Sequence, residues 1–311
     1  MYFIMQWRKK GLIYCVNGSE HEWKNNSFLT PQPYLLDDDT IRVYGSFRDK
    51  DGVGRIGYVD VEAENPSNVL KVSSDPVLDI GRAGRFDDNG VILGDVIDVK
   101  DRIFMYYVGF QHVQKVKFYA FSGLAVSTDK GESFTRVRET PVLDRSEEGL
   151  YGRCIHSVIY DDVRHLFRVW YSVIYDWTWI DGIPYPTYDI KYAESQDGIH
   201  FPEEGIQCVK CNAREYRIGR PKVRIMPDGQ YEMRYTSDTY SKEYVAGYAV
   251  SNDGINWIRK DDQGWLKKSE AGFDSEMACY PAVFDAAGKT YMFYDGNGMG
   301  LAGFGYAVLE E

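Results

Sequence analysis

The sequence of 311 residues lacks several features that mark common protein classes. It has no apolar run long enough to cross a membrane, and Met1 to Met5 is too short for the hydrophobic part of a signal peptide. No basic run exceeds three residues and the net charge is −11, which disfavours nucleic acid as a partner. These absences predict a cytoplasmic protein with neither a membrane nor a nucleic-acid partner.

Cysteine is scarce, since the chain has only five, and an odd number without a leader predicts reduced thiols. Cys208 and Cys211 form a lone CxxC motif. A zinc or redox role would need a second ligand pair or a helix start, and the sequence shows neither. We therefore predict no metal there and no cofactor, and leave open an ion bound in a central pore.

What the sequence has in abundance is a recurring cassette of strand, tight turn and strand. In Tyr244 to Trp257, side chains alternate with the two-residue period of a strand, and Asn252-Asp253-Gly254 supplies the turn. Four further copies, two of them shorter, lie at Phe121 to Phe134, Tyr188 to Phe201, Gly54 to Val61 and Gly303 to Val308.

Each cassette follows two other strand patterns. An aromatic strand lies directly before it, at Ile41 to Phe47, Ile103 to Phe110, Leu166 to Ile174, Tyr231 to Ser237 and Tyr291 to Tyr294. A more apolar strand comes before that, at Pro33 to Leu36, Val91 to Ile97, Ile155 to Tyr160, Lys222 to Met226 and Tyr280 to Phe284. Equivalent serines are 195 − 127 = 68 and 251 − 195 = 56 residues apart.

A repeat of that length with four short antiparallel strands is typical of a propeller blade. We therefore predict an all-β, five-bladed β-propeller in which residues 1–311 form one domain. Met5 to Val16 reads as two short strands separated by Arg8, Lys9, Lys10 and Gly11, and should close the ring by pairing with the last blade. The alternative is a β-sandwich with similar hairpins.

Topology predicts which face carries a site. The loops that lead into the first strand of each blade, and those between its second and third strands, share one face, here called the top. Blades 2 and 5 bring the acids Asp87, Asp88, Asp274 and Glu276, whereas blades 3 and 4 bring Arg153, His156, Arg220 and Lys222. Further candidates for substrate binding are Arg48, Trp177, Trp179, Glu215, Tyr280 and Asn297.

Structural roles are the alternative for these residues. Asp87 and Asp88 could cap a turn, and His156 could be a core histidine. Arg220 and Lys222, which should share a strand face, could pair with Glu215 and Asp274. Trp177 and Trp179 lie in residues 176–188, which we expect to form a long loop on the top face, where exposed rings could stack on sugars or contact another subunit.

The chain resembles the five-bladed propeller glycosidases, which include arabinanase and xylosidase-type, invertase-type and mannoside-phosphorylase-type families. The resemblance rests on the repeats, the Ser-x-Asp-Gly turns, and Phe273-Asp-Ser-Glu-Met277 leading to Tyr280-Pro281 and Tyr291-Met-Phe-Tyr-Asp-Gly-Asn297. It implies carboxylates at the top of the pore. The arabinanase-type families draw an Asp from the first blade, where this chain has Thr30-Pro31-Gln32-Pro33.

The phosphorylase-type families resemble this chain at Phe86-Asp87-Asp88, and use Arg, Lys and His for phosphate. Arg153, His156, Arg220 and Lys222 could play that part. The resemblance implies a carbohydrate substrate, with phosphate as a further ligand of the phosphorylase type.

We therefore hypothesise an enzyme that cleaves a glycosidic bond, with Glu276 as acid, Asp88 as base and Asp87 as a substitute for either. Carboxylates from blades 2 and 5 should be well separated, which favours inversion. Arg153, Arg220 and Lys222 would bind an anionic group. A phosphorylase, a non-catalytic sugar-binding or scaffold propeller, and a glycosyltransferase are the alternatives. The sequence specifies neither the sugar nor the oligomeric state.

Overall fold

The computed structural model describes residues 6–18, 21–263 and 266–310. Within these ranges the chain forms twenty β-strands and one four-residue helix, α1 (Asn297–Gly300), so the predicted all-β class is confirmed. No helix in this part of the chain is long and apolar enough to span a membrane.

Strand pairing divides the strands into five antiparallel units of four. Unit 1 contains β2 (Phe28–Asp37), β3 (Thr40–Arg48), β4 (Gly54–Glu62) and β5 (Val69–Val72). Unit 2 contains β6 (Val91–Val99), β7 (Arg102–His112), β8 (Phe118–Ser127) and β9 (Thr135–Arg136). Unit 3 contains β10 (Gly152–Asp161), β11 (Leu166–Ile180), β12 (Ile183–Ser195) and β13 (Ile206–Val209). Unit 4 contains β14 (Glu215–Ile225), β15 (Tyr231–Thr239), β16 (Tyr244–Ser251) and β17 (Ile258–Arg259). Unit 5 contains β18 (Cys279–Ala286), β19 (Lys289–Asp295), β20 (Phe304–Glu310) and β1 (Gln6–Tyr14).

Units 2, 3 and 4 are joined into one sheet of twelve strands. The links are short parallel pairings: Gly152 and Arg153 of β10 pair with β8, and Tyr188 of β12 pairs with Arg217 of β14. Each strand that the cassettes and the patterns before them predict is present, and most are longer than predicted. Some ends are shorter, since β14 ends at Ile225 rather than Met226 and β20 begins at Phe304 rather than Gly303.

The N-terminal segment pairs antiparallel with β20, as predicted from the sequence. It is one strand with two register shifts, however, so the prediction of two separate strands is wrong. Gly11, at φ +103°, lies at one of these shifts, where a residue without a Cβ allows the strand to continue. Met5, the predicted start, lies outside the described residues.

Aromatic side chains fill the spaces between neighbouring units. Tyr44 of unit 1 packs edge-on against Phe134 of unit 2, with ring centroids 5.9 Å apart. Aromatic rings also join units 1 and 5, where Phe28 stacks on Phe304 with ring centroids 4.6 Å apart. Burial of these large rings is a main source of the stability of the fold.

A β-bulge interrupts the first strand of every unit at an equivalent position. The register shifts occur at Leu29/Gln32, Leu93/Asp95, Ile155/Ser157, Gly219/Lys222 and Cys279/Ala282. Thr30, Arg220 and Tyr280, each followed by Pro, have positive φ values of 56°, 54° and 52°. A bulge redirects a side chain, and backbone strain of this kind concentrates at functional sites.

Residues 176–188 do not form the predicted long loop, although Trp179 is exposed as predicted. They form a hairpin that extends β11 and β12, with Trp177 opposite Pro186 and Trp179 opposite Pro184. Aromatic residues favour extended backbone, and Asp181-Gly182, both at positive φ, make the tight turn.

Candidate functional site

A cavity of about 400 Å³ lies among the bulged first strands and receives side chains from all five units. His156, Arg220 and Tyr280, which occupy the bulges of units 3, 4 and 5, all line it. The other lining residues are Arg48, Ile92, Val108, Phe110, Lys117, Phe118, Ala120, Cys154, Ser172, Ile174, Pro186, Tyr188, Arg217, Tyr244 and Met299.

The cavity is strongly cationic. Arg48, Arg217, Arg220 and Lys117 line it, and no Asp or Glu stands among its lining residues in the described chain. Arg217 pairs with Asp238, with Nη2 and Oδ2 2.7 Å apart. Arg48 and Arg220, both half-buried, have no carboxylate oxygen within 4 Å among the residues that the structure describes, and Arg220 donates instead to the Leu93 carbonyl oxygen at 3.3 Å.

Burial is the main cause of the lowered pKa values of Arg48 and His156. It lowers the pKa of Arg48, and the positive charge of Arg220 lowers it further. Burial and the charges of Arg220 and Lys222 hold the pKa of His156 well below its usual value, so the imidazole is neutral at pH 7. Its buried Nδ1 has no hydrogen-bond partner in the described structure. A neutral imidazole suits hydrogen bonding to a ligand rather than ion pairing.

Asp295, at the end of β19, lies close enough to Arg48 and Arg220 for their charges to act on it. Its Oδ2 accepts the Thr30 amide hydrogen at 2.8 Å, while its Oδ1 is buried without a partner in the described chain. Burial raises the pKa of Asp295 well above its usual value, although the nearby charges of Arg220 and Arg48 oppose this rise. The sequence reasoning missed Asp295, despite its place in the Tyr-Asp-Gly-Asn run.

Tyrosines form the polar aromatic part of the wall. The hydroxyl groups of Tyr244 and Tyr280 lie 2.6 Å apart, and the Arg220 guanidinium lies 5.3 Å from the Tyr280 ring centroid. Tyr188 and Tyr244 were not predicted as site residues. A signal existed, because both occupy the first position of the repeated cassette.

The three predicted catalytic acids do not line this cavity. Asp87 has no exposed surface and pairs with Arg136 at 2.7 Å. The Oδ2 of Asp88 accepts the Gly84 amide hydrogen at 2.8 Å, which is the turn-capping role weighed as the alternative. Glu276 is exposed on the loop before β18. Their catalytic roles remain predictions.

Two of the predicted basic residues also have partners of their own. Arg153 is buried and pairs with Glu148 at 2.8 Å. Lys222 donates to the Gly94 carbonyl oxygen at 2.6 Å and lies 3.2 Å from Asp95 Oδ1. Arg220 and Lys222, predicted to share one face, both reach β6 although a bulge lies at Arg220, since Arg220 donates to the neighbouring Leu93 carbonyl oxygen at 3.3 Å.

Three further predicted residues, Glu215, Asp274 and Asn297, make contacts within the protein. Glu215 pairs with Arg259, and Asp274 with Lys9, so the structural alternative, in which these acids pair with Arg220 and Lys222, is not found among the described residues. The Asn297 side chain accepts the amide hydrogens of Glu276 and Met277 at 2.7 and 2.9 Å, and so holds the loop.

The two tryptophans of the hairpin have different environments. Trp177 packs against Phe118 at 5.3 Å and Tyr151 at 6.3 Å. Trp179 is 64% exposed. Neither lines the central cavity, and both lie along the hairpin that begins at its wall.

The five cysteines are free thiols. Within residues 6–18, 21–263 and 266–310, no three His, Cys, Asp or Glu side chains are grouped so that they could hold a metal ion.

No protein-family model matches the chain. It is 31% identical over 308 residues to "Uncharacterized protein MT1551" of Mycobacterium tuberculosis strain CDC 1551, covering 99% of this chain and all of that one. It is 32% identical over 309 residues to "Uncharacterized protein Rv1502" of strain H37Rv, with the same coverage.

Solved structures of glycoside hydrolases have the same fold. One glycoside hydrolase matches with a TM-score of 0.72 and 17% identity, over 97% of this chain and 92% of that one. A thermostable family-43 glycoside hydrolase matches with a TM-score of 0.66 and 16% identity, over 93% and 89%. A structure from the GH130 family of mannoside phosphorylases, which contains hydrolases that target β-1,2 mannosidic linkages in Candida mannan, matches with a TM-score of 0.70 and 14% identity, over 99% and 94%.

The chain therefore shares the fold of these solved glycoside hydrolases. By sequence it belongs to the same family as the two Mycobacterium tuberculosis proteins, which it matches over 99% of its length.

Proposed function

We propose that this chain is a glycosidase-like enzyme whose central cavity binds the anionic group of a carbohydrate. One observation carries the proposal: Arg48 and Arg220 line a cavity in a glycosidase fold, and no described carboxylate lies within ion-pair distance of either. Burying a guanidinium without a counter-charge is costly, and a bound carboxylate or phosphate would remove that cost.

The wall also suits the rest of a sugar. Tyr188, Tyr244 and Tyr280 offer aromatic faces with hydroxyl groups beside the cations. Cavities of a few hundred cubic ångströms with a few convergent polar groups are typical of small-molecule sites. We propose that residues 1–311 form one closed five-bladed domain around this site, which is supported by the pairing of β1 with β20 and the contact of Phe28 with Phe304.

Bond cleavage needs a proton donor and a base. We keep Glu276 as the proposed acid and Asp88 as the proposed base of an inverting reaction. The loop of Glu276 is held by Asn297, two residues from the cavity-lining Met299. Asp88 precedes Asn89, whose amide donates to the carbonyl oxygen of the cavity-lining Phe110 at 3.1 Å. Asp87 is a weaker substitute, because Arg136 already neutralises it.

Two alternatives each have an observation in their favour. The unpaired cations would equally bind inorganic phosphate, as a phosphorolytic glycosidase requires. The lack of a carboxylate among the described lining residues favours a carbohydrate-binding propeller without catalysis. Turnover distinguishes the two enzymes from the binding protein, and dependence on phosphate distinguishes the phosphorolytic enzyme from the hydrolase.

The test is a screen of neutral and acidic aryl glycosides, each with and without inorganic phosphate. We expect release of the aryl group from an acidic substrate, or from a neutral one only when phosphate is added. Glu276→Gln should then abolish turnover and leave binding intact, because the amide keeps the shape and removes the transferable proton. Full activity of that variant would exclude Glu276 as the acid. Saturable binding without turnover would support the non-catalytic alternative.

A further inference from the structure

A second cavity, of about 820 Å³, opens between the loop before β6 and the loop before β10. Its lining includes the arginines Arg82, Arg85 and Arg145, the acids Glu139 and Asp144, and the rings of Tyr119 and Phe121. We call it the outer groove. None of its lining residues belongs to the central cavity, so it is a separate site.

A continuous row of aromatic rings connects the two cavities. Phe110 and Phe118 line the central cavity and contact each other at 5.1 Å. Phe118 contacts Trp177 at 5.3 Å, and Trp177 contacts Tyr151 at 6.3 Å. Tyr151 contacts Tyr119 of the outer groove at 6.2 Å. Every ring from Phe110 to Tyr119 is partly exposed, so the row offers a surface rather than a sealed core.

The strand geometry explains how one segment serves both cavities. Phe118 and Tyr119 are consecutive residues of β8, and consecutive strand side chains point to opposite faces. Phe118 therefore reaches the central cavity and Tyr119 the outer groove.

The charges of the outer groove resemble those of the central cavity in one respect. Arg82 and Arg85 both pair with Glu139. The Arg145 guanidinium lies 4.2 Å from the Tyr119 ring centroid, and no carboxylate oxygen lies within 4 Å of it in the described chain. A guanidinium that is held over an aromatic ring and has no ion-pair partner can bind an acidic substituent of a sugar.

We propose that the outer groove is a subsite for further sugar units of an acidic oligosaccharide whose anionic unit occupies the central cavity. This rests on the proposed function, because it assumes that the central cavity holds a sugar. The row of rings is the path between the subsites. The preferred ligand is accordingly an oligomer, and the outer groove adds affinity without contacting the Arg48 and Arg220 site.

The experiment starts with an array of acidic and neutral glycans of one to six sugars. Each bound glycan and its shortened forms are then titrated by calorimetry. We expect affinity to rise with length, and Tyr119→Ala and Arg145→Ala to weaken binding of the long form about tenfold while the single sugar is unaffected. Tyr119→Phe keeps the ring and should keep the affinity. Arg164→Ala, which removes an exposed arginine at the β10–β11 turn, is the matched control.

The possible results separate the two proposals. Arg220→Ala should weaken long and short forms alike, because it acts at the central cavity. Two results would overturn the outer subsite and leave the central site standing. One is equal affinity for long and short glycans, and the other is an equal loss of affinity for both in the groove variants. Absence of binding to every glycan would overturn the proposed function and the outer subsite with it.

Discussion

Two arginines on one strand, β3, have opposite environments. Arg42 lies near its start and is 1% exposed, with two hydrogen bonds to Asp60 at 2.7 and 2.8 Å and one to Glu132 at 2.6 Å. Burial alone would lower the pKa of Arg42, but these carboxylates raise it above its usual value. Arg48 ends the same strand without a described carboxylate partner, and burial lowers its pKa.

The difference between Arg42 and Arg48 separates charges that are paired within the protein from charges that face a cavity without a partner. A buried arginine that pairs with two acids has its charge neutralised within the protein and contributes to structure. One that faces a cavity without an acid lacks a partner that a ligand can supply. By this criterion we expect Arg153, Glu215 and Asp274, which have ion-pair partners, to serve the structure, and Arg48 and Arg220 to serve the proposed site.

The largest effect should come from removing residues 1–16, which deletes β1 and with it the Lys9 partner of Asp274. The edge of β20 and the apolar surface beneath Trp7 would be exposed. We expect the melting temperature to fall by about 10 °C or more, measured by calorimetry. A truncated protein that melts like the full chain would show that the ring is closed elsewhere.

Replacing each arginine of β3 by Met tests the comparison directly, because Met keeps most of the volume and removes the charge. Arg42→Met should cost about 3–5 kcal/mol of unfolding free energy, since it leaves buried Asp60 without its counter-charge. Arg48→Met should change stability by no more than about 1 kcal/mol. Urea unfolding of both variants measures this. Equal losses would contradict the distinction between paired and unpaired arginines.

A smaller effect concerns Asp295, whose pKa burial raises well above the usual range. Such a group binds its proton more tightly in the folded state, so it costs stability as pH rises above the unfolded pKa of about 4. Asn cannot ionise. We therefore expect the melting temperature of Asp295→Asn, relative to the wild type, to increase between pH 4 and pH 8.

The matched control for that variant is Asp87→Asn, at a carboxylate that has its own arginine. It should destabilise the protein at neutral pH, because Arg136 loses its partner. If the melting temperatures of Asp295→Asn and the wild type differ by the same amount at every pH, Asp295 is ionised in the folded protein.

The smallest effect should come from Trp179→Ala, since this side chain is 64% exposed. We expect no measurable change in melting temperature, whereas Trp177→Ala should lower it because Phe118 and Tyr151 lose a packing partner. Thermal unfolding of the two single variants separates them. Severe unfolding of Trp179→Ala would contradict its exposed position.

Much of the fold could be predicted from the sequence because strand alternation and Asp-Gly turns are local signals. The cassette at Tyr244 to Trp257 and the pairing of the N-terminal segment with β20 are examples. The hairpin at residues 176–188 was missed because tryptophans and prolines were read as a loop, although aromatic residues also favour strands.

The candidate site could be predicted only in part. Arg48, His156, Arg220 and Tyr280 were named from their positions before or after strands, and the structure brings them to one cavity. Whether a charge is paired depends on distant residues, such as Arg136 for Asp87 or Lys9 for Asp274, and no local pattern reveals that. The bulge that separates Arg220 from Lys222 likewise depends on tertiary context.

The most direct test of the central claim is a calorimetric titration with matched acidic and neutral sugars: glucuronate and glucose, galacturonate and galactose, and mannose 6-phosphate and mannose. We predict that at least one acidic sugar binds ten times more tightly or better than its neutral partner, and that added salt weakens this preference. Arg48→Met and Arg220→Met should each remove it. Equal binding of acidic and neutral sugars, or an unchanged preference in both variants, would contradict the claim that these arginines bind an anionic group.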